Sequence, residues 1–137
     1  MDAELAITEP HAERRQLPRL NVSAPIQFRN VFKPHEQFTG TLSKNLSSGG
    51  LRIALPTFLP KDTRLVLIFS LPNSLKQIRA IGRVVWLEEH AFSDAYDSGI
   101  QFIEMEDQDN KMISEFVEQH LFTDWGRSEN LAQKEFA

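Results

Sequence analysis

The stretch RLVLIFSLPNSLKQIRAIGRVVW, residues 64–86, decides the class of fold. Its first eight residues are apolar at nearly every position, which is typical of a strand buried on both faces. Its end alternates, with Ile78, Ala80, Gly82, Val84 and Trp86 at every second position. This spacing predicts a strand that turns all five residues to one face, so Trp86 is expected beside Val84 in the core or at the barrel end. Residues 72–74, Pro-Asn-Ser, predict the turn between the two strands.

Four more strands are predicted on either side of this pair. Val22, Ala24, Ile26 and Phe28 alternate in the first strand, where Pro25 indicates an edge or a strand start. Further short runs occupy residues 38–45, 51–55 and 99–103. Six short strands separated by turn signals favour an all-β fold, a closed or nearly closed antiparallel barrel, because closure removes exposed edges. An open sandwich is the alternative.

One helix is predicted, over residues 107 to about 122. Acidic residues crowd its first turn, and an apolar stripe recurs at three- and four-residue spacing, so it should pack on the barrel. We expect a flexible tail at residues 1–13, a lead-in loop at 14–20, the barrel at 21–104 and a C-terminal tail at 123–137, which could add a short helix. Residues 14–122 would form one domain.

The composition excludes several functions. The chain has 137 residues and no cysteine, so thiol chemistry and disulfides are absent. Its longest apolar run, residues 65–69, is far too short to span a membrane, and the N-terminus lacks a signal peptide, so we expect a cytoplasmic protein without membrane insertion. The net charge of −4 argues against general nucleic-acid binding, although the first 52 residues carry a net charge of +2 and could meet a small anion.

No arrangement typical of an enzyme is found. His11, His35, His90 and His120 lack the close spacing of metal ligands. Asp94 and Asp97 lie in a polar loop that is better explained as a solvated turn than as an acid/base pair. The sequence therefore predicts no catalysis, no metal and no cofactor.

Two polar motifs remain. Arg14, Arg15 and Arg19 precede the first strand, and the run Asn45-Leu46-Ser47-Ser48-Gly49-Gly50 joins the second strand to the third. The arginines could be an ordinary basic lead-in, and the run an ordinary turn. However, Asn45 and Ser47 share one strand face and can hydrogen-bond a planar ligand edge, while Gly50 would let a ligand approach the backbone.

The sequence resembles the PilZ domain family in the order of its motifs. These are R-x-x-x-R (Arg15, Arg19), then N-x-S-x-x-G (Asn45, Ser47, Gly50), then the GRVVW run and the run at residues 99–102. The resemblance covers about residues 13–121 and implies a bacterial receptor for cyclic di-GMP built on a PilZ β-barrel. It places the ligand on both motifs, with Asn45 replacing the commoner aspartate. Arg14 extends the cluster, which in this family often accompanies two stacked ligands, so two are favoured over one. Trp86 is a peripheral candidate for a stacking contact.

Cyclic di-GMP is a compact ring with two phosphates and two guanines. Arginine can form two parallel hydrogen bonds with a guanine edge, bind a phosphate or stack on a base. We expect the lead-in to become ordered on binding and to present a new face to a partner protein, which the sequence does not name. One alternative is an adaptor that binds no nucleotide. Another, a single-strand nucleic-acid binder, would need aromatic residues on an open strand face.

Overall fold

The computed structural model describes the backbone of residues 18–136 and the side chains of residues 18–121. The expectations for the tail at residues 1–13 and for Arg14 and Arg15 lie outside the described residues. The elements, in chain order, are β1 (Pro25–Asn30), β2 (Thr39–Ser47), β3 (Gly50–Leu55), β4 (Arg64–Ser70), β5 (Gln77–Glu89), β6 (Tyr96–Met105) and α1 (Asp107–Phe136). The six predicted strands are confirmed, and Pro25 begins β1, where its missing N–H costs least.

The six strands form a closed barrel in the order β1-β2-β3-β6-β5-β4, with every neighbouring pair antiparallel. The alternative of an open sandwich is therefore wrong. Inward side chains fill the barrel, among them the fully buried Leu65, Leu67 and Ile78. The predicted turn after β4 is also confirmed: Asn73 has a φ of 64°, a left-handed conformation that asparagine tolerates, and the N–H of Ser74 donates to the carbonyl of Leu71 at 3.1 Å.

Because the strands run antiparallel, their connections alternate between the two ends of the barrel. The loops at residues 31–38, 56–63 and 90–95 lie at one end, here called the far end. The turn at Ser48 and Gly49, the loop at 71–76 and the start of α1 lie at the other, called the motif end. The two ends are thus built from different parts of the sequence.

The helix α1 packs on the barrel from the motif end, as predicted. Ile113 and Val117 are buried in the core. In the first turn the Asn110 side-chain amide donates to the Ser48 carbonyl at 2.7 Å. The buried Asp109 contacts the Lys76 ammonium at 2.7 Å, and this hydrogen bond raises the pKa of Lys76.

The predicted helix end at Phe122 is wrong, because α1 continues to Phe136. Residues 123–136 contain no proline, and residues 131–135 (Leu-Ala-Gln-Lys-Glu) are strong helix formers. Gly126 opposes the helix most strongly, by about 1 kcal/mol. Nothing in this segment stops a helix that has already begun, so the backbone of residues 123–136 is helical.

Candidate functional site

The β2–β3 hairpin carries the strand motif at the motif end of the barrel. Asn45 and Ser47 lie in β2, and Ser47 pairs with Gly50 across the turn. The Ser47 side chain is only 1% exposed: its hydroxyl donates to the Gly50 carbonyl at 3.3 Å and accepts from the N–H of Gly49 at 3.2 Å. Ser47 therefore holds the turn in shape, while the half-buried Asn45 stands next to it on the same strand face.

Arg19 brings the lead-in to this hairpin. Its guanidinium donates to the Asn45 side-chain oxygen at 3.0 Å. The backbone supports the contact, since Leu20 and Leu46 exchange two N–H to carbonyl hydrogen bonds of 2.9 Å each. One arginine of the predicted R-x-x-x-R motif and one residue of the strand motif thus meet, although 26 positions separate them in the chain.

Gly50 serves a purpose that the sequence analysis did not predict. A Cβ built on it would lie 2.0 Å from the carbonyl oxygen of Ile100 in β6, so the place of its missing side chain is filled by protein backbone. On this side of Gly50 a ligand would meet β6, and the ligand contact expected at Gly50 stays a prediction. Gly50 lets β6 lie close to the hairpin, where the N–H of Phe102 donates to the Gly49 carbonyl at 2.9 Å.

Trp86 lies on the outer face of the barrel, not beside Val84. Val84 pairs with Ile100, but Trp86 pairs with Gly99, because the register shifts between them at a β-bulge. The extra residue, Val85, reverses the alternation that the sequence analysis assumed. The indole covers Gly99, where a Cβ would lie 2.1 Å from the indole nitrogen. The prediction that Trp86 shares a face with Val84 is therefore wrong.

The same outer row contains Arg52, which the sequence analysis did not select. Asn45 pairs with Arg52, Arg52 with Gly99 and Gly99 with Trp86, so the row crosses four strands. Three strand spacings make it roughly 14 Å wide. The Arg52 guanidinium lies 5.4 Å from the centre of a Trp86 ring, within cation–π distance. Strand alternation alone could not find this row, because it depends on the β3–β6 register.

Asp97 fixes Arg52 in this position. Its carboxylate, 15% exposed, accepts a hydrogen bond from the Lys44 ammonium and another of 3.1 Å from Arg52. The Lys44 contact first, and the Arg52 contact with it, lower the pKa of Asp97. Two donors in the row, Nε of Arg52 and the indole N–H of Trp86, are buried without a hydrogen-bond partner among the described residues.

A comparison of the sequence with models of protein families identifies the family of this chain. The model of the PilZ domain matches residues 13–119, most of the chain, and the protein belongs to the PilZ family. No curated protein matches the chain in sequence.

Solved structures share the fold. The Bacillus subtilis inhibitor of motility, MotI/DgrA, is 22% identical, with a TM-score of 0.70 over 80% of this chain and 52% of its own. The PilZ domain of YcgR from Escherichia coli, with c-di-GMP, is 10% identical, with a TM-score of 0.61 over 85% and 98%. The MrkH–c-di-GMP complex from K. pneumonia is 19% identical, with a TM-score of 0.60 over 84% and 55%. The chain thus spans about half the length of MotI/DgrA and MrkH.

Neither a membrane-spanning helix nor a metal-type cluster is found among the described residues. Within the described residues, no helix is both long and apolar enough to cross a membrane. The part of the chain with described side chains also contains no group of three or more His, Cys, Asp or Glu residues that could hold a metal ion.

Proposed function

We propose that this PilZ protein is a cytoplasmic receptor for cyclic di-GMP, not an enzyme, and that it works without a metal or cofactor. The observation that carries the proposal is the hydrogen bond between Arg19 and Asn45, which joins the two motifs at one place on the barrel surface. The c-di-GMP complexes of YcgR and MrkH, which share the fold, support the choice of ligand.

The ligand would lie across the outer face of the β2–β3 hairpin, held by Arg14, Arg15, Arg19 and Asn45. Two phosphates and two guanines suit arginine, which binds a phosphate or a guanine edge through two parallel hydrogen bonds. Asn45 offers a neutral oxygen, which binds guanine N–H donors less strongly than a carboxylate would. Ser47 and Gly50 contribute by fixing the turn that presents Asn45.

Trp86 is the peripheral member of the site. It lies in the same outer row as Asn45, and Arg52, held by Asp97, lies between them. An indole and a guanidinium on one surface offer a planar base two partners for stacking. With Arg14 added to the lead-in, two ligand molecules are favoured over one.

The lead-in loop, residues 14–20, would transmit ligand binding to a partner protein. We propose that residues 14–20 become ordered over the ligand and present a new face to an effector protein, with residues 14–122 acting as one PilZ domain. A second connection exists at the hairpin, since Asn110 ties the first turn of α1 to Ser48. Amide exchange at residues 14–20 that stays equally fast with and without ligand would overturn the ordering step.

An adaptor that binds no nucleotide is the second candidate. The observation in its favour is that the site is satisfied internally: Ser47 is buried with both hydrogen bonds inside the turn, and Asn45 is engaged by Arg19. A ligand would have to exchange or share the Arg19–Asn45 contact.

Calorimetric titration of c-di-GMP into the full chain tests the proposal, with GTP as the control ligand. We expect micromolar or tighter binding, equivalent to about −8 kcal/mol or better, with two ligands per chain. Arg19→Ala should abolish it, whereas Arg79→Ala, an exposed arginine on β5, should leave it unchanged. No heat and no shift in melting temperature with the wild-type chain would refute the receptor and favour the adaptor.

A further inference from the structure

Exposed phenylalanines gather at the far end of the barrel. Phe32, Phe58 and Phe92 are 80%, 60% and 95% exposed and lie on the three different loops of this end. A single exposed aromatic residue is ordinary, but three on the loops of one barrel end give that end the apolar character that marks interaction sites. The three loops of this end are separate from the β2–β3 turn that carries the strand motif, and the outer row approaches this end through Trp86 and Asp97 without reaching the phenylalanines, so the proposed ligand site does not account for them.

Charge is divided across this surface. The β5–β6 hairpin carries Glu88, Glu89 and Asp94, and none of the three forms an ion pair with another described residue. The β1–β2 loop carries Lys33, whose contact with Glu36 is a 3.9 Å ion pair between two largely exposed side chains. Such a pair contributes little, so Lys33 is available to another acidic partner.

The strand order places these charges on opposite sides. In the ring β1-β2-β3-β6-β5-β4, the β1–β2 connection lies directly across from the β5–β6 connection. The loop at residues 56–63, which carries Phe58, crosses the end between them because β3 and β4 are not neighbours. Phe58 packs edge-on against Tyr96, with ring centres 6.0 Å apart, so the crossing loop is held against the barrel.

We propose that the far end binds a second copy of this chain. A two-fold axis lying along the crossing loop would bring Lys33 of each copy to the acidic hairpin of the other and bury the phenylalanines between them. This is the reciprocal contact that a two-fold interface requires. Lys33 and the acidic hairpin are complementary in charge, with Glu36 offsetting part of the charge of Lys33, whereas the hairpin would be repelled by an anionic membrane surface.

The interface would be weak. The end of a single six-stranded barrel is smaller than the roughly 800 Å² per partner of a stable complex, so a dimer that dissociates in the micromolar range is expected. The dimer needs no nucleotide and leaves the motif end open. Its failure would therefore leave the receptor proposal standing, and failure of the receptor proposal would not affect the dimer.

Sedimentation velocity of the full chain across the micromolar range, without nucleotide, tests the dimer. The wild-type chain should associate reversibly, and Phe92→Ser should weaken association by about tenfold or more, as expected for an aromatic anchor. Leu75→Ser is the matched control, because Leu75 is fully exposed in the 71–76 loop at the opposite end. It should leave association unchanged. Circular dichroism verifies that each variant is folded.

A charge exchange tests the pairing itself. Lys33→Glu and Glu89→Lys should each weaken the dimer, and the double variant should recover part of the association relative to Lys33→Glu, since the exchanged pair attracts again while Glu88 and Asp94 remain. A chain that stays monomeric at every concentration would overturn the proposal, as would a dimer equally weakened by Leu75→Ser and Phe92→Ser. Binding to neutral phosphatidylcholine vesicles that Phe92→Ser abolishes, without any dimer, would also overturn it and assign the patch to a lipid surface.

Discussion

Gly50→Ala should destabilise the barrel strongly. The new Cβ would lie 2.0 Å from the carbonyl oxygen of Ile100 and 3.1 Å from the Cα of Gln101, whereas Cβ contacts below 3.0 Å are essentially never seen. Either β3 or β6 must therefore move by about 1 Å. Because both obstacles are backbone atoms, no side-chain rotation can relieve the clash.

The expected cost follows from this geometry. Overpacking costs typically about 1–3 kcal/mol, and a clash with backbone belongs at the upper end, near 3 kcal/mol. That is a large part of the roughly 5–15 kcal/mol that holds a domain together. For a chain of this size it corresponds to a melting temperature lower by about 10 °C.

Urea unfolding followed by circular dichroism measures this loss, and Gly40→Ala is its matched control. Gly40 also lies in a paired strand, β2, opposite Gln27 of β1, but a Cβ there would meet nothing within 4 Å. Its replacement should leave the unfolding free energy unchanged or raise it by up to about 1 kcal/mol. Equal unfolding free energies for the two variants would refute the argument that Gly50 exists to admit β6.

Two further predictions concern the outer row. Asp97→Asn should lower stability at neutral pH. The folded-state pKa of Asp97 lies below its unfolded value, so the extra stability of the wild-type chain is present above the unfolded pKa and disappears as pH falls through the folded pKa. Urea unfolding of both proteins from pH 7 to pH 3 measures the difference in unfolding free energy. A difference that stays constant with pH would contradict the assignment. Gly99→Ala should displace the Trp86 indole, because the new Cβ would lie 2.1 Å from the indole nitrogen. We expect a change in tryptophan fluorescence and weaker c-di-GMP binding. An unchanged fluorescence spectrum would show that the indole does not contact Gly99.

The fold could be predicted from sequence because its signals are local. The alternation around Ile78 and the apolar run from Leu65 need only neighbouring residues to be read, and both predicted strands are present. The position of Trp86 could not be obtained in this way. A single bulge residue, Val85, reverses the face of everything after it, and bulges have no reliable sequence signal.

Some residues of the candidate site could be identified from the sequence and others could not. Arg19 and Asn45 were selected as parts of two motifs, and the structure brings them together. Arg52 was not selected as a site residue, and the interpretation of Asp97 as part of a solvated turn is wrong, since Asp97 lies in β6 and pairs with Arg52. Their contact depends on which strands pair and in what register. The ligand roles of Arg14, Arg15, Arg19, Asn45, Ser47, Gly50 and Trp86 remain predictions for the titration to test.

The order of the strands also bears on how the protein folds. The barrel consists of two three-stranded meanders, β1–β2–β3 and β4–β5–β6, each made by consecutive pairings, and it closes only at two seams, β1–β4 and β3–β6. Seam contacts join distant parts of the chain, so they carry the larger loop-closure entropy and are expected to form late. The candidate site extends across the β3–β6 seam through Arg52, Gly99 and Gly50. A ligand bound there would stabilise contacts that form late in folding, so it would slow unfolding with little effect on the folding rate.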